Sequence, residues 1–319
     1  DSHSQYAAVM RRPLLLASVA TILLPAAACS EGSPSGDGSG RPTVAAAFYP
    51  LQYLAQEVGG DAIDVVTLVP PGSEAHEYEP TPKQLTALAD ASLVLYLGND
   101  FQPSLQKAIG TLPSSARKLD LLTSVPLLPF GQEIGQGSNE EDHGELDPHV
   151  WLSPANMRLM ATAVADALAE LVPAQAAVIR GNATALEARL TALDAAMTAG
   201  LARCESPYLV TGHHAFGYLA DQYGLTQVSI AGLSPAEEPS AATLEDVAAF
   251  AAEHDVTTIF FEENLPSDLS RTVADEIGAS TAVLDTLESP SQAALDTGED
   301  YDSLMRENLV VLREGLRCA

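Results

Sequence analysis

The strongest constraint on how this chain folds is a set of short apolar runs that do not alternate with polar residues. Val44-Ala45-Ala46-Ala47-Phe48, Ile63 to Val69 and Ser92 to Leu97 stand in the first half; Tyr208-Leu209-Val210, Gln227 to Ile230, Val256 to Phe261 and Thr281 to Leu284 stand in the second. A strand with one face in water alternates, so unbroken runs predict strands covered on both faces, as in parallel sheets flanked by helices. Helical patterns between the runs complete a β-α alternation. Thr81-Pro82 reads as N-cap and first helical residue for a helix through Asp90, and further helices are expected near 215–223, 243–254 and 267–277. Between the halves, Ser153-Pro154 opens a helical stretch that runs, with a break near Pro173, to Arg203, carrying the apolar stripe Leu186, Leu190, Leu193, Met197, Leu201. Roughly 30 residues of helix span about 45 Å, the width of a domain. The expected fold class is therefore α/β: two parallel-sheet lobes joined by a long rigid helix that limits hinge closure, with any ligand site in the cleft between them.

The balance of 15 Lys+Arg against 43 Asp+Glu leaves no basic stripe for phosphates and excludes nucleic acid as a partner. The same negative field concentrates cations. At the N-terminus, Met10-Arg11-Arg12, the apolar run Leu14 to Leu24 and Ala26-Ala27-Ala28 have the three parts of a secretory signal, and the run is too short to span a membrane. Cys29 directly after the small residues resembles the lipobox of bacterial lipoproteins, which implies a lipidated mature N-terminus and an exported protein held on the outer face of the cytoplasmic membrane. Glu31 to Arg41 reads as a flexible Gly/Ser/Pro-rich tether. With Cys29 acylated, Cys204 and Cys318 remain, and outside a reducing cytosol an even remainder favours a disulfide over free thiols. The divisions expected are an extension and signal over 1–29, a tether over 30–42, lobes over 43–152 and 204–319, and the linking helical segment over 153–203.

Three histidines stand in segments that leave strands or open helices: His76 in Pro71 to Pro80, His149 in Asp147-Pro148-His149-Val150-Trp151, and His213 in Thr211-Gly212-His213-His214. Ligands of open α/β sheets gather at the carboxyl ends of strands, where His76 and His213 fall, and Asp285 follows the run Thr281 to Leu284 at the same edge. Neutral imidazoles converging from separate loops suit zinc and its neighbours. His214 is the alternative ligand in the third arm, and Asp285 has the alternative of merely capping a turn. His3, His143 and His254 read as tail, loop and helix end. If the segment around His149 is extended, Trp151 points to the same side as His149.

At these residues the chain resembles the metal-binding solute-binding proteins of ABC importers, the zinc and manganese receptors. The resemblance rests on Ala46-Ala47-Phe48-Tyr49-Pro50, Pro71 to Pro80, Asp147 to Pro154, Thr211 to Leu219 and Leu284-Asp285-Thr286-Leu287, and it covers Thr43 to Cys318. It implies a non-enzymatic, monomeric receptor that delivers an ion to a membrane permease, with His76, His149, His213 and Asp285 as ligands. Three departures stand out: Gly212 and His214 flank the third histidine where the family has serine and an acid, Thr286 replaces a proline, and the segment Glu140 to Glu145 is a short acidic counterpart of a long histidine-rich loop.

Three imidazoles and one carboxylate favour Zn2+ as the transported ion; a manganese or iron receptor of the same family is the alternative, since manganese receptors put a carboxylate in place of the third histidine. The rival class is a zinc hydrolase with an open water position. It lacks an HExxH pair, and only Glu262 or Glu263 could be imagined as its base.

Overall fold

The computed structural model describes residues 40–130, 146–262 and 267–319; Cys29, the signal and most of the tether, the acidic segment Glu140 to Glu145 and Glu263 lie outside them. Two four-stranded parallel sheets form. In the first, β1 (Thr43–Ala46), β2 (Asp64–Thr67), β3 (Leu93–Tyr96) and β4 (Lys118–Asp120) lie in the order β2-β1-β3-β4. In the second, β5 (Tyr208–Thr211), β6 (Thr226–Ser229), β7 (Thr258–Phe261) and β8 (Ser280–Val283) repeat that order as β6-β5-β7-β8. The helices are α1 (Tyr49–Gly59), α2 (Pro82–Asp90), α3 (Pro103–Thr111), α4 (Pro154–Leu171), α5 (Ala176–Leu201), α6 (Gly217–Tyr223), α7 (Ala241–Glu253), α8 (Asp268–Ile277), α9 (Gln292–Asp296) and α10 (Tyr301–Gly315).

Local chemistry sets the boundaries. Thr81 caps α2 in a reciprocal capping box with Gln84, and Pro82 occupies the first turn, where its missing N–H costs nothing. Ser153 caps α4 without the reciprocal bond, its hydroxyl accepting from the Asn156 N–H, and Pro154 again occupies the first turn. The sequence reading misses β4: its three residues, Lys-Leu-Asp, have no apolar run because a short charged strand suits an exposed sheet edge.

The helical stretch after Ser153 does not run as one rod. A 3₁₀ turn at Pro173–Gln175 doubles α4 back on α5, and Arg158 then reaches Thr191, Thr162 reaches Glu187 and Arg180 pairs with Asp166 along an antiparallel hairpin. The strut is therefore α5 alone, 26 residues or about 39 Å long. Its stripe of Leu186, Leu190, Leu193, Met197 and Leu201 is buried throughout, worth about 1.5–3 kcal/mol per fully buried side chain. Toward its start α5 is pinned to α1 through Asn182 to the Val58 carbonyl and Arg189 to Glu57; toward its end Gly200 lets Leu309 of α10 approach closely.

Side chains of successive strand residues divide between two cores. Leu209 and Phe260 join one continuous core that includes the first sheet, α4, α5 and α10, whereas Val210 and Ile259 face a smaller core with Val247 and Ala251 of α7 and Val273 of α8. Because one core crosses from sheet to sheet, separating the lobes by hinge bending would break close packing rather than stretch a linker.

Cys204, just past α5, is disulfide-bonded to Cys318, just past α10, across a separation of 114 residues. Glu205 and Ser206 add backbone bonds to the carbonyls of Arg317 and Leu316. In the chain-entropy model a loop of this length stabilises by about 4–5 kcal/mol. The double variant Cys204→Ser/Cys318→Ser should lose that amount of stability extrapolated to water in guanidinium unfolding, with a steeper slope because the freed denatured chain exposes more surface; an unchanged stability and slope would show that the cross-link constrains little of the unfolded chain.

Candidate metal centre

Four buried side chains from four loops meet at the carboxyl ends of the two sheets: His76, His149, His213 and Glu288. One ligand atom from each lies within 4.8 Å of every other. His76 Nε2 is 3.3 Å from His149 Nε2 and 3.6 Å from Glu288 Oε1, which lies 3.8 Å from His213 Nε2 and 3.9 Å from His149 Nε2. Bonds of about 2.0–2.2 Å to a tetrahedral zinc place ligand atoms about 3.3–3.6 Å apart, and these four contacts come within a few tenths of an ångström of that spacing. His213 Nε2 and Glu288 Oε1 are fully buried without a hydrogen-bond partner among the described residues. A buried acceptor in that condition is expensive unless a cation or proton occupies the point it faces.

Each histidine is aimed by its loop. His76 lies in the turn after β2, where Glu74 accepts from the backbone N–H of His76 at 2.7 Å and of Glu77 at 2.8 Å, and where buried Gln102 holds the Ala75 carbonyl. His149 precedes α4: Asp147 Oδ1 accepts both its backbone N–H at 2.9 Å and its Nδ1–H at 2.8 Å. His213 follows β5, and Glu262, at the end of β7, repeats the arrangement by accepting the His213 backbone N–H at 3.2 Å and its Nδ1–H at 3.0 Å. A proton held on Nδ1 leaves the Nε2 lone pair free for a metal and raises its basicity.

Both orienting acids need a glycine beside them. A Cβ built on Gly212 would stand 2.5 Å from Glu262 Oε2, and one on Gly217 would collide with Asp147 Oδ2. The first of these accounts for Gly212 standing where the resemblance leads one to expect serine. Glu262, imagined from the sequence only as the base of a hydrolase, is committed to His213, whose backbone N–H and Nδ1–H it accepts.

His214, the alternative in the third arm, stays outside the cluster. Its N–H donates to the Gly232 carbonyl and its ring stands edge-on to Phe130. Asp285 is also outside. Its Oδ1 accepts from the Leu287 N–H at 2.7 Å, closing a turn, and it lines a cavity of about 500 Å³ with Asn308, Glu299 and Glu307. Leu287 then takes a left-handed φ of 55°, and the carboxylate delivered to the cage is Glu288, three residues beyond the acid inferred from the resemblance. A carboxylate in Asp-Thr-Leu-Glu gives no hint of which acid enters; the turn decides.

The electrostatics are those of buried groups facing one another. Burial among other imidazoles holds the His149 pKa well below its usual 6.5. For His213 burial pulls the same way but is outweighed by Glu262 and Glu288, leaving its pKa raised. For Glu288 burial pushes upward, and His76, His213 and a Thr286 hydrogen bond pull it below the usual carboxylate range. Burial raises Asp147 to about 7 against its His149 hydrogen bond, and burial beside His213 lowers His214 to about 4.

Trp151 completes one wall. The segment is a 3₁₀ turn over Val150–Leu152 rather than extended, yet the indole stands 5.2 Å from the His149 ring, with Phe48 and Phe101 around it. Its Nε1–H donates to the Thr286 carbonyl, joining the His149 and Glu288 loops.

Residues 44–315 match the family described as the periplasmic component A of a zinc-uptake complex, ZnuA. The chain is 36% identical over 305 residues to the zinc-binding lipoprotein AdcA of Streptococcus pneumoniae serotype 4, covering 94% of this chain and 60% of AdcA, so it spans less than two thirds of that relative. It is 35% identical over 318 residues to the high-affinity zinc uptake system protein ZnuA of Bacillus subtilis strain 168, covering 93% of this chain and 96% of that protein. Among solved structures it is similar to the Zn(II)-bound ZnuA-like domain of S. pneumoniae AdcA, with a TM-score of 0.73 and 34% identity over 87% of this chain and 99% of that one. The laminin-binding protein of Streptococcus agalactiae, described as both adhesin and metal transporter, gives a TM-score of 0.75 and 27% identity over 86% and 99%.

With the indole against both the His149 ring and the Glu288 loop, Trp151 emission should change in intensity or wavelength as the metal-stripped protein takes up one equivalent of divalent ion. Stoichiometric binding with unaltered emission would place the ion away from His149.

Proposed function

The chain belongs to the family of the periplasmic component A of zinc-uptake complexes, and from that premise we propose that it is an extracytoplasmic receptor that captures zinc and hands it to the membrane permease of an ABC-type importer. The ligands in this reading are His76, His149, His213 and Glu288, the last replacing Asp285. The observation that carries it is the buried convergence of three imidazole Nε2 atoms and one carboxylate oxygen, all within 4.8 Å of one another. Three borderline nitrogens and one oxygen favour zinc over the manganese and iron alternatives, although copper and nickel would also bind such a set in a tube.

A hydrolase would need a base facing the ion; of the two candidates, Glu262 is engaged with His213 instead, and Glu263 lies outside the described residues. No described helix is long and apolar enough to cross a membrane, and the proposed means of staying beside the permease is lipidation at Cys29. A strongly acidic chain suits a protein that gathers cations, and the receptor acts as a monomer without nucleic acid.

Titration of the metal-stripped protein should give one tight zinc site per chain. Protons compete for the imidazole lone pairs, so affinity must fall with falling pH. The decline should begin with His213, whose pKa is raised, while His149, held well below 6.5, stays neutral. One competing proton weakens binding by about tenfold per pH unit below that raised pKa. Calorimetry that finds only many weak sites, or an affinity unchanged from about pH 7.5 to about pH 5.5, would contradict the histidine-based receptor.

A further inference from the structure

The loop that carries Glu288 is held from behind by α10. Asn308, in the middle of that helix and 3% exposed, accepts the Asp285 backbone N–H on Oδ1 at 2.9 Å and donates from Nδ2 to the Asp285 carbonyl at 2.7 Å. One planar amide thus takes both backbone polar groups of Asp285, two residues past the end of β8, its carbonyl oxygen accepting and its NH2 donating side by side. A helix interior disfavours asparagine, and burial of its amide would be costly unpaired, so its place in α10 is explained by this pairing.

From that fixed point the chain turns sharply. Asp285 Oδ1 accepts the Leu287 N–H, Trp151 donates to the Thr286 carbonyl, and Leu287, fully buried, holds a left-handed φ of 55° that a leucine does not keep unless its surroundings enforce it. Glu288 is the next residue. Beyond it, the Ser289 hydroxyl donates to the Pro70 carbonyl and accepts the Ser73 N–H, tying the loop to the segment that leads to His76.

We propose that Asp285 and Asn308 form a clamp that sets the register of this turn, making both of them positioning residues for the carboxylate of Glu288. The inference rests on Glu288 being a ligand of the proposed receptor. Without the clamp the left-handed residue relaxes, and a metal bond tolerates only about 0.2 Å of misplacement.

The test is a thermodynamic cycle on the full chain, with zinc affinity from chelator competition and cobalt(II) absorption as a report of the ligand set. Glu288→Gln should weaken zinc by more than about 100-fold, and Asn308→Leu by about 10–100-fold, the range for a group that orients a ligand. The cobalt spectrum of Asn308→Leu should move toward that of Glu288→Gln. If the clamp acts only through Glu288, the double variant binds no more weakly than Glu288→Gln alone. Asp285→Ala, which leaves α10 intact, should behave like Asn308→Leu and carries the same cycle should that variant not fold, whereas Asp285→Asn keeps an acceptor for Leu287 and should stay near the parent affinity. Full additivity in the double variants, or Asn308→Leu and Asp285→Ala at parent affinity while Glu288→Gln is weak, overturns the clamp alone. Glu288→Gln at parent affinity while His149→Ala loses zinc removes Glu288 from the site, and the clamp with it.

Discussion

Three imidazole lone pairs and a carboxylate cannot be buried facing one another unless something positive sits between them, and the rest of the structure answers to that constraint. Bringing His76, His149, His213 and Glu288 together strips each of water and sets like partial charges within 4.8 Å of one another, a repulsion that a low-dielectric surrounding of Phe48, Phe101 and Trp151 strengthens. A cation between them adds an attraction to every one of these groups that outweighs the repulsions among them. The same surroundings that make the empty arrangement costly make the occupied one tight.

Such a cage needs walls that do not relax. His76 and His149 belong to the first sheet and its helices, His213 and Glu288 to the second, so the relative placement of the sheets is part of the site. The α5 strut, the core that crosses from sheet to sheet and the Cys204–Cys318 bond all oppose a change in that placement. Closer in, Asp147 and Glu262 perform the same task on opposite sides of the cage, each accepting a backbone N–H and an Nδ1–H from one histidine, and each standing where only glycine leaves room.

Much of this was legible in the sequence. Unbroken apolar runs announced buried parallel strands, Thr81-Pro82 and Ser153-Pro154 announced helix starts, and the Leu186 to Leu201 stripe announced the strut, because each rests on local chemistry or on a simple period. The three histidines were legible from their loops together with family resemblance. What escaped depended on tertiary context. β4 has no apolar signature because it is a charged edge, and the folding back of α4 on α5 hangs on a single break at Pro173. Glu288 escaped because the turn that admits it is set by Asn308, 20 residues downstream, and by a leucine in a conformation that no propensity assigns it. Glu262 was visible only as an acid at a strand end; its pairing with His213 appears once β5 and β7 are neighbours.

The most direct measurement of the central claim is anomalous diffraction at the zinc edge from crystals of the zinc-loaded protein. One strong peak is expected within about 2.0–2.2 Å of the Nε2 atoms of His76, His149 and His213 and of a carboxylate oxygen of Glu288. A peak bound by Asp285 or His214, or one that leaves any of the three histidines out, would contradict it.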